Sequence, residues 1–250
     1  MNDTNVALLV FASLFGATLL GMRISAMLPE HHLSSETKES VRLGMGTVAT
    51  MTALILGLLV ASTKGAYDVE RNEVTQLAAK LVYLDRVLAD YGPEADHSRD
   101  VLRGAVDSAL ARIWPETADG SEEDPSDIWT ATLPNSIHDL APKDEEQRAS
   151  KAQAERVVSE IAQVRWLLFE QTETSISTPL LVLVVSWLTV IFLSVGLFAP
   201  RNITAVIAHL MAAFSISGAI YLILELDKPF SGLIKISSEP MMNALNHLVR

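Results

Sequence analysis

The sequence predicts an all-α fold: a polytopic membrane protein with four transmembrane helices and a helical extramembrane stalk or bundle between the second and third spans. Three observations lead there. Four stretches, residues 6–22, 43–63, 176–199 and 203–224, contain no Asp, Glu, Lys or Arg and together hold 84 of the 250 residues. Each is close to the roughly 20 apolar residues that cross a hydrocarbon core about 30 Å thick. A heptad-like apolar seam follows the second stretch, and segment 64–175 carries 12 basic against 23 acidic residues, the whole of the net charge of −11. We therefore divide the chain into 1–63 (first two spans and their loop), 64–175 (acidic helical segment), 176–224 (last two spans) and 225–250 (tail).

Composition excludes several classes of function. A chain that is 49% hydrophobic with its apolar residues gathered into four blocks is not an ordinary soluble enzyme. With no cysteine there is no disulfide scaffold, no cysteine-ligated metal and no thiol chemistry. The acidic segment is unsuited to nucleic acid, which needs a basic face, so no nucleic-acid partner is expected. No G-x-S-x-G, Walker-type, G-x-G-x-x-G or H-E-x-x-H pattern occurs, and we expect neither enzymatic activity nor a cofactor.

Along the chain, residues 1–5 lack Lys and Arg, so the first stretch reads as a retained helix rather than a cleaved signal. It ends at Arg23, and a loop with Pro29, Glu30, His31 and His32 follows. The two adjacent histidines have no partner at metal-ligand spacing, so no metal site is expected. Ser34 or Ser35 can cap the second helix. Beyond Lys64 the residues Val74, Leu77, Leu81, Leu84, Leu88 and Tyr91 follow alternating spacings of 3 and 4, an a/d seam. Nothing breaks the pattern before Gly92-Pro93, so one long helix is expected.

A further helix from Pro93 carries Leu102, Val106, Ala109 and Ile113 on one face and stops at Trp114-Pro115. Residues 116–142, with Gly120, Pro125, Pro134 and Pro142, read as irregular, anchored by Trp129 and Leu133. From Pro142 another helix places Ala154, Val158, Ile161, Val164 and Leu168 on a seam that fits the first, giving an antiparallel stalk. The last two spans are joined by the hairpin Ala199-Pro200-Arg201-Asn202, and a short amphipathic helix from Pro240 ends the tail.

The second span carries the candidate site. At 100° per residue, Gly46, Thr50, Ala53, Gly57, Ala61 and Lys64 fall within an arc of about 80°. Small residues on one face let helix backbones approach closely; the same face can line a narrow pore, with a hydroxyl at Thr50 and a positive charge at one mouth from Lys64. His209 is the one ionisable residue well inside a span; it is either a functional group or an imidazole bonded within the helices. Glu225 and Asp227 follow the last span, either as vestibule charges that attract cations or as interface acids paired with Lys64, Arg71 or Lys228.

The segments Leu56-Gly57-Leu58-Leu59-Val60-Ala61-Ser62-Thr63-Lys64, Glu73-Val74 with Leu77-Ala78, Leu84-Asp85-Arg86, Tyr91-Gly92-Pro93-Glu94 and Leu224-Glu225-Leu226-Asp227-Lys228-Pro229-Phe230-Ser231-Gly232 resemble the bacterial bestrophin-like membrane proteins, a family long described as a domain of unknown function. The resemblance covers nearly the whole chain. It implies kinship with bestrophins: oligomeric, ligand- or calcium-regulated ion channels with four spans per subunit and a pore built from the second helix. The second span departs from bestrophins in lacking their aromatic and isoleucine neck.

The resulting expectation is a homo-oligomeric, multi-pass protein of the cell (inner) membrane, partnered by lipid and small ions, with the second helix at a pore. The rival expectation is a non-conducting sensor or scaffold that binds a partner through its stalk. Basic residues near the span ends number four on one side and five on the other, which does not orient the chain. The bestrophin resemblance implies a cytoplasmic segment 64–175.

Overall fold

The protein was analysed as a computed structural model, which describes residues 2–29, 34–114, 128–170 and 178–248. The sequence-predicted loop at Glu30, His31 and His32 and the run 115–127 lie outside these residues. All regular structure among the described residues is helical. Four helices are long and apolar enough to cross a membrane: α1 (Asp3–Met27), α2 (Ser35–Tyr91), and two more that follow the acidic segment.

The chain divides into two compact units. The first comprises Met1–Tyr67 and Thr174–Ile234, the second Asp68–Glu173 and Lys235–Arg250. α2 contributes to both. Its N-terminus is capped as expected, the Thr37 amide donating to Ser34 Oγ at 3.2 Å. At its far end Gly92, at φ 114°, adopts a backbone that only glycine takes at little cost.

In the second unit the seam is buried along its whole length, from Val74 to Tyr91. A 3₁₀ turn, Pro93–Ala95, leads into α3 (Asp96–Ile113). Its buried face is Leu102, Ala105, Val106, Ser108 and Leu110, whereas Ala109 and Ile113 are half-buried. The predicted stripe is thus widened, because α3 packs on two further helices, α4 (Leu133–His138) and one in the tail.

The expectation of irregular structure over 116–142 needs correction. Residues 128–132 form a π-helical turn that runs directly into α4. Trp129, Leu133 and Ile137 recur every fourth residue and are all buried, while Pro134 stands in the first turn, where its missing N–H costs nothing. α5 (Glu145–Glu170) starts three residues after Pro142. Asp144 caps it, accepting from the Gln147 amide at 2.8 Å.

The antiparallel pairing of the two seams is present. Gln147 Nε2 donates to the Tyr91 carbonyl at 3.0 Å near one end, and Lys80 pairs with Glu160 farther along. Ala154, Val158 and Ile161 are buried and Val164 is half-buried, while the side chain of Leu168 is outside the described set. A bidentate Arg99–Asp85 pair, at 2.8 and 3.1 Å, ties α3 to α2.

The first unit holds α1, the first part of α2, α6 (Thr178–Phe198) and α7 (Ile203–Leu226). α1 runs past Arg23 to Met27 and ends at Leu28, which is extended because it precedes Pro29. Its main packing is on α6. There Gly21 and Gly196 bring the two backbones together: a Cβ at Gly21 would lie 2.8 Å from the Leu197 nitrogen. Val10, Leu14, Val184, Leu188, Phe192 and Ile220 form the core around this crossing. The tail ends in α8 (Glu239–Leu248), part of the second unit, with Met241, Ala244 and Leu248 buried against α3. Trp114 Nε1 fastens the segment before it, donating to the Ile236 carbonyl at 2.9 Å.

Candidate functional site

α2 is the least covered of the four spans. Its most apolar window is 11% buried, against 22–28% for the other three, so most of its membrane-level surface has no cover from its own chain. The covered side is defined by Thr52, Leu59 and Thr63, buried to 2%, 6% and 1% exposure, with Ile55 and Leu56 packed on the first unit's core. Each buried hydroxyl is satisfied within the helix: Thr52 donates to the Val48 carbonyl and Thr63 to that of Leu59.

The small-residue stripe lies about 140° around the helix from that side. Gly46, Thr50, Ala53, Gly57, Ala61 and Lys64 are all exposed. Nothing stands within 4 Å of a Cβ built at Gly46 or Gly57. Close intrachain packing, one of the two sequence readings of the stripe, is therefore not what it does within the subunit. Thr50 donates to the Gly46 carbonyl at 2.9 Å, so the exposed hydroxyl oxygen retains only acceptor capacity. Lys64, the first residue beyond the charge-free stretch, has its ammonium 5.0 Å from the Tyr67 ring centroid. Leu54 and Leu58, 75% and 67% exposed, flank the stripe.

Glu225 and Asp227 take different positions. Glu225 is buried and accepts from the Leu233 amide at 2.7 Å, from the Ile234 amide and from the Tyr221 hydroxyl. It folds the segment after α7 back over the helix end. Gly232, at φ 87°, completes that fold, and a Cβ there would stand 3.0 Å from the Glu225 carboxyl carbon. Lys228 donates to both carboxylate oxygens of Asp3, at 2.6 and 2.8 Å. Asp227 is half-buried at the C-cap of α7. The motif around residues 224–232 is thus a carboxylate clamp with an ion pair to the start of α1, a relationship that no local spacing reveals.

His209 is half-buried, with Nδ1 2.5 Å from the Ala205 carbonyl of its own helix. It lines a cavity of about 460 Å³ between α2, α6 and α7, together with Lys38, Arg42 and Gly46. Sequence reasoning missed this grouping. Its one available signal was that Lys38 and Arg42 are four apart and therefore share a helix face.

Fold and site together describe an all-helical integral membrane protein whose second span offers an uncovered small-residue face. A family model of the Bestrophin-like domain matches residues 12–241, and the chain belongs to that family. No curated protein matches the sequence. Among solved structures, the fold resembles two variants of a bacterial bestrophin homolog from Klebsiella pneumoniae. One has a TM-score of 0.70 at 14% identity, with 96% of this chain and 97% of that one covered. The other has the same TM-score and identity, with 97% of each chain covered. A crystal structure described as a membrane protein matches at TM-score 0.68 and 14% identity, over 96% of this chain and 97% of that one.

Proposed function

We propose that this protein is the subunit of a closed homo-oligomeric ion channel in the inner membrane, with copies of α2 around the axis and the face Gly46, Thr50, Ala53, Gly57, Ala61 and Lys64 turned towards the ion path. The observation that carries this reading is the exposure of that face, about 140° around α2 from the buried Thr52, Leu59 and Thr63; only Gly46, at its N-terminal end, also borders the cavity shared with α6 and α7. A single subunit leaves it uncovered, and a ring of subunits places it where small side chains keep the lumen open. Family membership and the shared fold with a bacterial bestrophin homolog support the same reading.

The chemistry of the face suits small hydrated ions. Helix backbone groups are satisfied internally, so the lumen is lined by Cα hydrogens, methyl groups and the Thr50 hydroxyl, a weakly interacting surface from which an ion can leave. Lys64 adds positive charge at one mouth and raises the local concentration of anions there. The acidic segment 64–175 forms the cytoplasmic vestibule in this reading, and Glu225 holds the fold together rather than contacting ions.

The rival reading, a scaffold that binds a partner through its stalk, has to use the exposed faces of the stalk. The seam from Val74 to Tyr91 is buried within its own unit and is not available to another protein. The distinguishing experiment is ion flux into liposomes containing the purified protein, with anion and cation gradients tested separately and oligomer mass measured on the same sample. Selective flux from a closed oligomer, lost in Gly57→Leu or Thr50→Leu at unchanged mass, is expected. Unchanged flux in both variants contradicts the pore assignment, and a folded oligomer without flux favours the scaffold.

A further inference from the structure

The cavity at His209 lies wholly within the first unit and combines two kinds of wall. Lys38 and Arg42 stand one turn apart on α2, both exposed, and neither side chain has an ion pair or hydrogen bond with another described residue. Below them the lining is apolar, with Met45, Ile191, Val195 and Phe198. The charge-free stretches begin at residue 43 on α2 and end at residue 199 after α6, so the two cations sit just outside the apolar zone and the rest of the lining inside it. His209 is six residues into α7, about 9 Å from its start.

A basic mouth over an apolar slot at the edge of a bilayer is complementary to an anionic amphiphile. The volume falls in the range of about 300–1,000 Å³ typical of small-molecule sites. We propose that this cavity holds one anionic phospholipid per subunit, its phosphate between Lys38 and Arg42 and an acyl chain along Met45, Ile191 and Phe198. Arg42 supplies a planar fork for phosphate oxygens and Lys38 a second point charge. The slot excludes water from the chain and sets the headgroup beside Gly46, the first residue of the small-residue face. Binding at this site does not depend on whether the protein conducts.

The test uses the full-length purified protein, stripped of lipid in detergent and titrated with phosphatidylglycerol or phosphatidylcholine while adducts are counted by native mass spectrometry. One phosphatidylglycerol per subunit is expected, with phosphatidylcholine clearly weaker. Removing the cations in Lys38→Gln/Arg42→Gln weakens phosphatidylglycerol roughly fivefold per charge, the usual worth of a basic residue near an anionic bilayer surface. Ala49→Trp, which fills the apolar slot without changing charge, displaces the lipid. Equal retention of the two lipids by the wild type overturns the proposal, even if both variants fail to fold. So does phosphatidylglycerol binding that survives both variants. Full displacement by inorganic phosphate, with no effect of Ala49→Trp, identifies a free-anion site and also overturns it.

Discussion

Gly196 of α6 lies so close to Thr18 of α1 that a Cβ added to it would stand 2.9 Å from the Thr18 Cα. Thr18 itself is fully buried and spends its hydroxyl on the Leu14 carbonyl, so it has no room to retreat. Gly196→Ala is expected to cost about 1–3 kcal/mol through overpacking, read as a lower unfolding temperature in detergent. Gly104 on α3 is the control: nothing lies within 4 Å of its added Cβ. There Gly104→Ala should gain about 0.5–1 kcal/mol from helix propensity.

Tyr91 ends the buried seam 2% exposed, its hydroxyl without a hydrogen-bond partner among the described residues. Burial pushes its pKa up, with Glu94 adding to the rise. Tyr91→Phe keeps the ring and removes an unsatisfied group, so stability should rise by about 1 kcal/mol. A loss of stability on chemical denaturation would mean that a water or another group serves this hydroxyl.

Arg99 and Asp85 form a bidentate pair whose side chains are 28% and 15% exposed. Asp85 holds the guanidinium pKa above its ordinary value through that hydrogen bond. Asp85→Ala leaves a partly buried cation unpaired and should cost about 1–2 kcal/mol. The double variant Asp85→Ala/Arg99→Met should recover much of the loss, which a double-mutant cycle measures directly.

Glu94 and Lys143 pair across the turn after α2. The hydrogen bond from Lys143 lowers the Glu94 pKa, and the same bond raises that of Lys143. For Glu94 the contribution is present above the ordinary carboxylate pKa of about 4.5 and is lost as pH falls through its lower folded value. For Lys143 it is present below about 10.5 and is lost as pH rises through its higher folded value. Both groups are solvent-exposed, so the effect is small. Comparing acid unfolding of the wild type with Glu94→Gln should show a slightly shallower pH dependence in the variant; an identical profile means that the pair contributes nothing.

Glu225 accepts two backbone amides and the Tyr221 hydroxyl while buried. Glu225→Gln replaces one acceptor oxygen by a donor that faces other donors, at an expected cost of about 1–3 kcal/mol. Limited tryptic proteolysis after Lys235 should accelerate in this variant as the segment loosens. An unchanged cleavage rate would assign the clamp to other contacts.

How much of this was legible from sequence depends on the range of the interactions. The spans, the length of α2 and the buried seam from Val74 to Tyr91 follow from hydropathy and from 3- and 4-residue spacings, which are local signals. Trp129, Leu133 and Ile137 also had helical spacing, but the prolines around them outweighed it. On α3 the buried face is wider than its stripe because two helices pack on it, and periodicity reports only one. The stripe from Gly46 to Lys64 was visible as a face, yet only the fold reveals that its own chain leaves it uncovered. Pairings such as Lys228 with Asp3, 225 residues apart, or the meeting of the Lys38–Arg42 face with His209, join distant segments, and no sequence spacing links their partners.

The absence of cysteine permits the most direct test of the ion path. Single variants Ala53→Cys, on the small-residue face, and Met51→Cys, about 160° away around α2, are reconstituted and exposed to a charged, membrane-impermeant thiol reagent while flux is recorded. Modification should change flux through Ala53→Cys and leave Met51→Cys unaffected. A change confined to Met51→Cys, or none in Ala53→Cys despite demonstrated labelling, contradicts a path along this face of α2.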